Sequence, residues 1–187
     1  MTNSKFGKSE TTSFIINATT TQLDARQPDP AWIPILSEGF DNGFGQFFDG
    51  GTDAAYVDSR FGRNGLVMVK SGRANYDQAS IYSDNIQLSD SGGYSQFMVA
   101  LSYYASNTGV DDGFCLDYQA NGDSDWAMAK CWENGADFEN RKWYDDESFV
   151  FMTGTGTATS ISIRFRGFSA DITNRIFIDK IELFGSN

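Results

Sequence analysis

Histidine is absent from this chain, proline occurs 3 times and cysteine twice. Without histidine there is no imidazole base, no histidine-dependent nucleophile and no nitrogen ligand for zinc. Most hydrolase mechanisms go with it; carboxylate pairs, Tyr and Lys remain as candidate catalysts, so an enzyme is the weaker expectation. Cations are also scarce: 14 Lys and Arg face 25 Asp and Glu, for a formal charge of -11. Such a surface repels phosphate backbones and anionic lipid, so nucleic acid is not an expected partner. No apolar run approaches the length of a membrane span, so no membrane insertion is expected.

Aromatics and glycine are abundant. There are 16 Phe, 8 Tyr, 4 Trp and 19 Gly in 187 residues, the composition of short strands joined by glycine turns. Residues 1–31 are polar and close on Gln27, Pro28, Asp29 and Pro30, which reads as an arm or linker. The arm holds a sequon at Asn17 and a short apolar run from Ser13 to Asn17 that could add a strand to a neighbouring sheet. From Trp32 to Asn187 apolar runs of about four to ten residues alternate with Gly, Asn, Asp and Ser, and none has a helical period. Tyr94 to Tyr104 places Phe97, Val99, Leu101 and Tyr103 on one face. Thr159 to Phe168 alternates Ile161, Ile163 and Phe165 with Ser160, Ser162, Arg164 and Arg166. About ten strands in one domain exceed an ordinary open sheet, so the expected fold is all-β: a two-sheet antiparallel sandwich of jelly-roll type over 32–187.

Cys115 and Cys131 lack the CxxC spacing of a metal or redox motif; a disulfide is the direct reading, and a pair of buried thiols is the other. They flank an expected hairpin turned at Asn121 to Asp125, which sets them on adjoining strands near diagonal positions. In the closing segment RIFIDKIELF, Phe177, Ile181 and Leu183 share a face with Asp179 in their middle. A carboxylate there needs a cation, an Arg or backbone donors; alternatively a bulge near Asp179 switches the face and brings Ile176 and Ile178 into the core register. First and last strands of a sandwich commonly lie side by side, so Glu38 or Asp41 could meet Asp179 at an oxygen-only site suited to calcium. The plain alternative is that Glu38 and Asp41 are turn acids.

Trp126, Trp132, Trp143 and Tyr144 lie near Asp111, Asp112, Asp145, Asp146 and Glu147 in sequence. Rings that stack on sugars beside carboxylates that bind hydroxyls make Trp126, Trp143, Tyr144, Asp111 and Asp112 the candidate ligand-binding residues. The competing reading is a core-facing stripe of Trp126, Met128 and Trp132, interrupted by Lys130; it applies less to Trp143 and Tyr144, which sit in a charged stretch expected to be a loop. No acid pair has the cross-cleft spacing of a glycosidase, so no catalytic residue is assigned.

The opening EGFDNGFGQFFDGG with the closing strand FIDKIELFG resembles the calcium-bearing jelly-roll carbohydrate-binding modules and MAM-type adhesion domains over residues 36–185. The resemblance implies a two-sheet sandwich, a structural metal, and glycan held on a sheet face or by loops at one edge. Its opening acids fall on Glu38 and Asp41 and its closing acid on Asp179; the middle of the chain has no motif to align. The expectation is a non-catalytic, extracellular or cell-surface recognition module whose partner is a polysaccharide or glycoprotein glycan. The alternative is a structural subunit of a filament, capsid or appendage, self-assembling through residues 1–31. A glycan-cleaving enzyme ranks last.

Overall fold

The computed structural model describes residues 31–51, 53–70, 80–88, 92–154, 156–168 and 173–187. The arm, its sequon at Asn17 and the run from Ser13 to Asn17 lie outside the described residues, apart from Ala31. Among the described residues all regular structure is strand: β1 Ile33–Glu38, β2 Phe47–Asp49, β3 Ala54–Arg60, β4 Arg63–Lys70, β5 Ser80–Ser83, β6 Ile86–Gln87, β7 Gln96–Ser106, β8 Gly113–Ala120, β9 Ala127–Glu133, β10 Trp143–Met152, β11 Ser160–Phe168 and β12 Arg175–Ser186. They form two antiparallel sheets. The first runs β10-β7-β12-β4-β3, with β1 also paired to β12; the second runs β2-β5-β11-β8-β9, with β6 also paired to β11. This is the jelly-roll sandwich expected from the strand pattern.

Alternation in the two clearest strands explains the core between the sheets. Phe97, Val99, Leu101 and Tyr103 of β7 are buried, as are Ile161, Ile163 and Phe165 of β11, while Arg164 and Arg166 point outward. Phe114 and Leu116 of β8 join them. Each fully buried side chain of this size contributes about 1.5–3 kcal/mol, and together they hold the sheets face to face. First and last strands do lie side by side, with Leu36 opposite Leu183 and Glu38 opposite Ile181.

Three irregularities place the outward side chains. In β12 the pairing with β7 slips between Ile178 and Lys180, so Ile176 and Ile178 face the core before Asp179, and Ile181 and Leu183 face it after. The bulge reading of Asp179 is correct, and Phe177 consequently points outward into a second apolar cluster with Leu66 and Tyr104. In β10 the register slips between Tyr144 and Glu147, where Asp146 has φ 50°. The extra residues let the strand continue past its acids, so Trp143 and Tyr144 belong to β10 and not to a loop. In β9, Leu116 pairs with Lys130 and Asp117 with Met128, leaving Ala129 as the inserted residue. That insertion breaks the expected stripe of Trp126, Met128 and Trp132. Only Trp132 enters the core, stacked on Phe114, and Met128 turns to solvent.

The same insertion sets Cys115 opposite Cys131 and not diagonal to it, and the two form a disulfide. The hairpin between β3 and β4 turns through Phe61 and Gly62, both at positive φ. This edge strand and the short β2 carried too few alternating apolar residues to stand out in the sequence.

Candidate functional site

The three acids expected around calcium have separate roles in the fold. Glu38 closes its own turn: Oε1 accepts the Phe40 N–H at 2.8 Å and Oε2 the Gln46 N–H at 2.8 Å. Gly45 is required beneath it, because a Cβ there would run into the Glu38 carboxylate at a backbone φ of +57°. Asp41 is exposed and is held through its main-chain oxygen, which accepts the Tyr56 hydroxyl at 3.3 Å. Asp179 accepts the Arg63 guanidinium at 2.5 Å, and the same guanidinium reaches Asp145 at 2.5 Å. Burial alone would lower the Arg63 pKa, but the bonds to Asp145 and Asp179 outweigh it and raise the pKa above the ordinary arginine value. Among the described residues no group of three or more Cys, Asp or Glu side chains is placed to hold a metal ion. As arranged, the donor set does not fit calcium: an ion at Glu38, Asp41 and Asp179 would have to displace two backbone donors and a guanidinium.

The candidate ligand residues also separate. Trp143 lies on the outward side of the first sheet, where Arg63 sits 3.8 Å above its ring and its Nε1 donates to the Phe61 carbonyl at 3.1 Å. Tyr144 packs against the core, its ring nearly parallel to Tyr103 at 5.0 Å. The Tyr144 hydroxyl accepts the Glu139 N–H at 2.8 Å. Asp111 and Asp112 shape the turn before β8: the Asp111 N–H reaches the Asn134 carbonyl, and the Asp112 carboxylate accepts the Asn174 amide at 2.8 Å. Of the set, Trp126 alone is brought to the outward side of the second sheet.

That side carries a row of side chains across five strands. Register places Phe48 of β2 opposite Tyr82 of β5, Tyr82 opposite Arg164 of β11, Arg164 opposite Asp117 of β8, and Asp117 opposite Met128 of β9. Five strands set the row at about 19 Å long. At one end Phe48 and Tyr82 are 48% and 37% exposed, with ring centroids 5.6 Å apart. At the other end Trp126 lies 4.6 Å over the Arg164 guanidinium and Met128 is 64% exposed. The Gln119 side chain donates to the Ser124 carbonyl at 3.1 Å, tying down the loop that carries Trp126.

Asp117 anchors the middle of the row. It points outward from its sheet yet is only 2% exposed, because two arginines from β11 close over it. Its Oδ2 accepts Arg164 Nε at 3.0 Å, Arg164 Nη2 at 2.8 Å and Arg166 Nε at 2.6 Å, and its Oδ1 accepts Arg166 Nη2 at 3.3 Å. A carboxylate so enclosed locks both guanidiniums in place. The result is a pair of fixed guanidiniums with the exposed rings of Phe48 and Tyr82 on one side and the half-buried Trp126 on the other, a mixture of flat apolar faces and polar groups suited to a polyhydroxylated ligand. The sequence marks Arg164 and Arg166 as outward-facing. Phe48, Tyr82 and Asp117 carry no local signal, since their meeting depends on which strands are neighbours.

No family model matches this chain, and no curated protein matches it by sequence. Solved structures do match the fold. The CBM22-1 xylan-binding domain of Paenibacillus barcinonensis Xyn10C is similar at a TM-score of 0.56 and 12% identity, over 84% of this chain and 98% of that one. A family 29 carbohydrate-binding module complexed with cellulohexaose is similar at 0.51 and 7%, over 83% and 91%. The K1 cleaved adhesin domain of Lys-gingipain from Porphyromonas gingivalis W83 is similar at 0.53 and 14%, over 81% and 98%. The fold is that of jelly-roll carbohydrate-binding modules, as the opening and closing motifs led one to expect, and is shared by an adhesin domain.

Proposed function

We propose that this protein is a non-catalytic glycan-binding module that holds a polysaccharide or glycoprotein glycan across the outward side of its second sheet. The observation that carries the reading is the row from Phe48 to Met128, with two exposed rings at one end, Met128 exposed beside the half-buried Trp126 at the other, and Arg164 pinned on Asp117 between them. Rings offer flat apolar faces to sugar rings, and guanidiniums donate to hydroxyl oxygens. The ligands of two structural neighbours, xylan and cellulohexaose, support the ligand class. The disulfide supports a place outside the reducing cytosol, extracellular or on a cell surface. Among the described residues no helix is long and apolar enough to cross a membrane. Self-assembly through residues 1–31 is a separate proposal, read out by sedimentation at rising concentration.

The test is affinity electrophoresis through gels containing xylan, mannan or β-glucan, with the parent protein and Tyr82→Ala. The expected result is retention by at least one polymer, weakened about tenfold by the substitution, with no oligosaccharide released on long incubation. Unretarded migration in every gel would remove the reading, and release of fragments would replace it with an enzyme.

A further inference from the structure

The binding row is not the last feature of this sheet face. Along the outward side of β8, Asp117 is followed by Cys115 and then by Gly113. The row through Cys115 reads Arg166, Cys115, Cys131, and the row through Gly113 reads Phe168, Gly113, Glu133. In the second of these the flanking strands supply side chains and the central strand supplies none. Glycine is required there, because a Cβ at 113 would run into the Trp132 carbonyl oxygen. A shallow hollow of about 300 Å³ lies across these two rows, lined by Cys115, Cys131, Glu133, Arg166 and Phe168.

The chemistry of this hollow is that of a sugar subsite. Phe168 is an aromatic wall, the disulfide is a soft apolar floor, Arg166 offers donors and Glu133 an acceptor. Charge is balanced: Arg164 and Arg166 are matched by Asp117 and Glu133, so nothing favours an anionic group. The centre lies three residues along the strands from the Asp117 row, about 10 Å away. Arg166 joins the two, gripping Asp117 at 2.6 Å while lining the hollow. We infer that the hollow receives a short, uncharged sugar branch of a polysaccharide whose main chain lies along the row from Phe48 to Met128. The inference rests on the binding face proposed above and adds a preference for branched over bare polymer.

Two polymer pairs test it: arabinoxylan and the same polymer stripped of arabinose, and galactomannan before and after removal of its galactose. The variants are Glu133→Trp, which fills the hollow from an exposed position, and Glu133→Ala, which removes the acceptor. In one pair the parent should be retained about tenfold more strongly by the branched polymer. Glu133→Trp should erase that preference without weakening retention by the bare chain, and Glu133→Ala should reduce it. Equal retention of branched and bare polymer by the parent, or a preference that survives Glu133→Trp, overturns the branch subsite and leaves the binding face standing. Retention by none of the four polymers overturns both for these glycans.

Discussion

The two outward sheet faces are built on opposite charge plans. On the first sheet one arginine, Arg63, is shared by two carboxylates, Asp145 and Asp179, and lies over Trp143. On the second, one carboxylate, Asp117, is shared by two arginines, Arg164 and Arg166. The first triad sums to one negative charge and shares its face with the tip of the β3–β4 hairpin, where Phe61 stacks on Tyr104 at 4.1 Å. The second sums to one positive charge in a protein of net charge -11 and has the exposed rings of Phe48 and Tyr82 on one side. A shared arginine beside a partly covered tryptophan holds a hairpin down. A shared carboxylate beneath two arginines fixes both guanidiniums on the outward side of the sheet. Burial separates them further: the Asp117 side chain is 2% exposed and that of Asp179 is 23%.

The largest expected effect follows from that difference. Asp117→Asn leaves two adjacent guanidiniums without their counter-charge, and removing one partner of a buried ion pair costs about 3–5 kcal/mol. For a domain of this size that lowers the thermal midpoint by roughly 6–20 °C. Asp179→Asn removes one of two carboxylates from an arginine that is 26% exposed and keeps Asp145, an effect of about 1 kcal/mol or less. Denaturant titrations of both variants decide the matter; equal losses would break the contrast between the faces.

An intermediate effect concerns the core between them. Burial, helped by the charge of Glu147, pushes the Tyr103 phenol far above the ordinary tyrosine range. A phenol that ionises more readily in the unfolded chain is fully stabilising below pH ~10, and that stability is lost as pH rises beyond it, at about 1.4 kcal/mol per pH unit. Tyr103→Phe should flatten this alkaline limb relative to the parent, and parallel curves for the two proteins would refute the assignment. The smallest expected effect is that of calcium. With Glu38 and Asp179 engaged as described, the midpoint should be the same with calcium and with chelator. A calcium-dependent rise abolished by Asp179→Ala would instead restore the ion to the first face.

Alternation of apolar and polar residues was enough to read the sandwich, because period two along a strand decides which side chains face inward whatever the neighbours are. Phe97 to Tyr103 and Ile161 to Phe165 entered the core as read. Of the two readings of Asp179, a core-face carboxylate needing a cation, an Arg or backbone donors and a bulge that switches the face, the bulge holds; it turns the carboxylate outward, where Arg63 meets it. The disulfide was legible from the hairpin around Asn121 to Asp125, although its direct opposition needed the insertion at Ala129. Sequence proximity misled for Trp143 and Tyr144: successive residues of a strand point to opposite sides, so one joined Arg63 and the other Tyr103. What the sequence by itself determined is the in-or-out sense of residues in the regular strands, such as Phe97 to Tyr103 and Ile161 to Phe165, a local property of the backbone. Where a bulge intervenes, as at Asp179 and Ala129, pairing with the neighbouring strand reset it. Which outward residues stand together, from Phe48 through Asp117 to Met128, was decided only by tertiary structure, because strand order and register are set by packing between segments far apart in the chain.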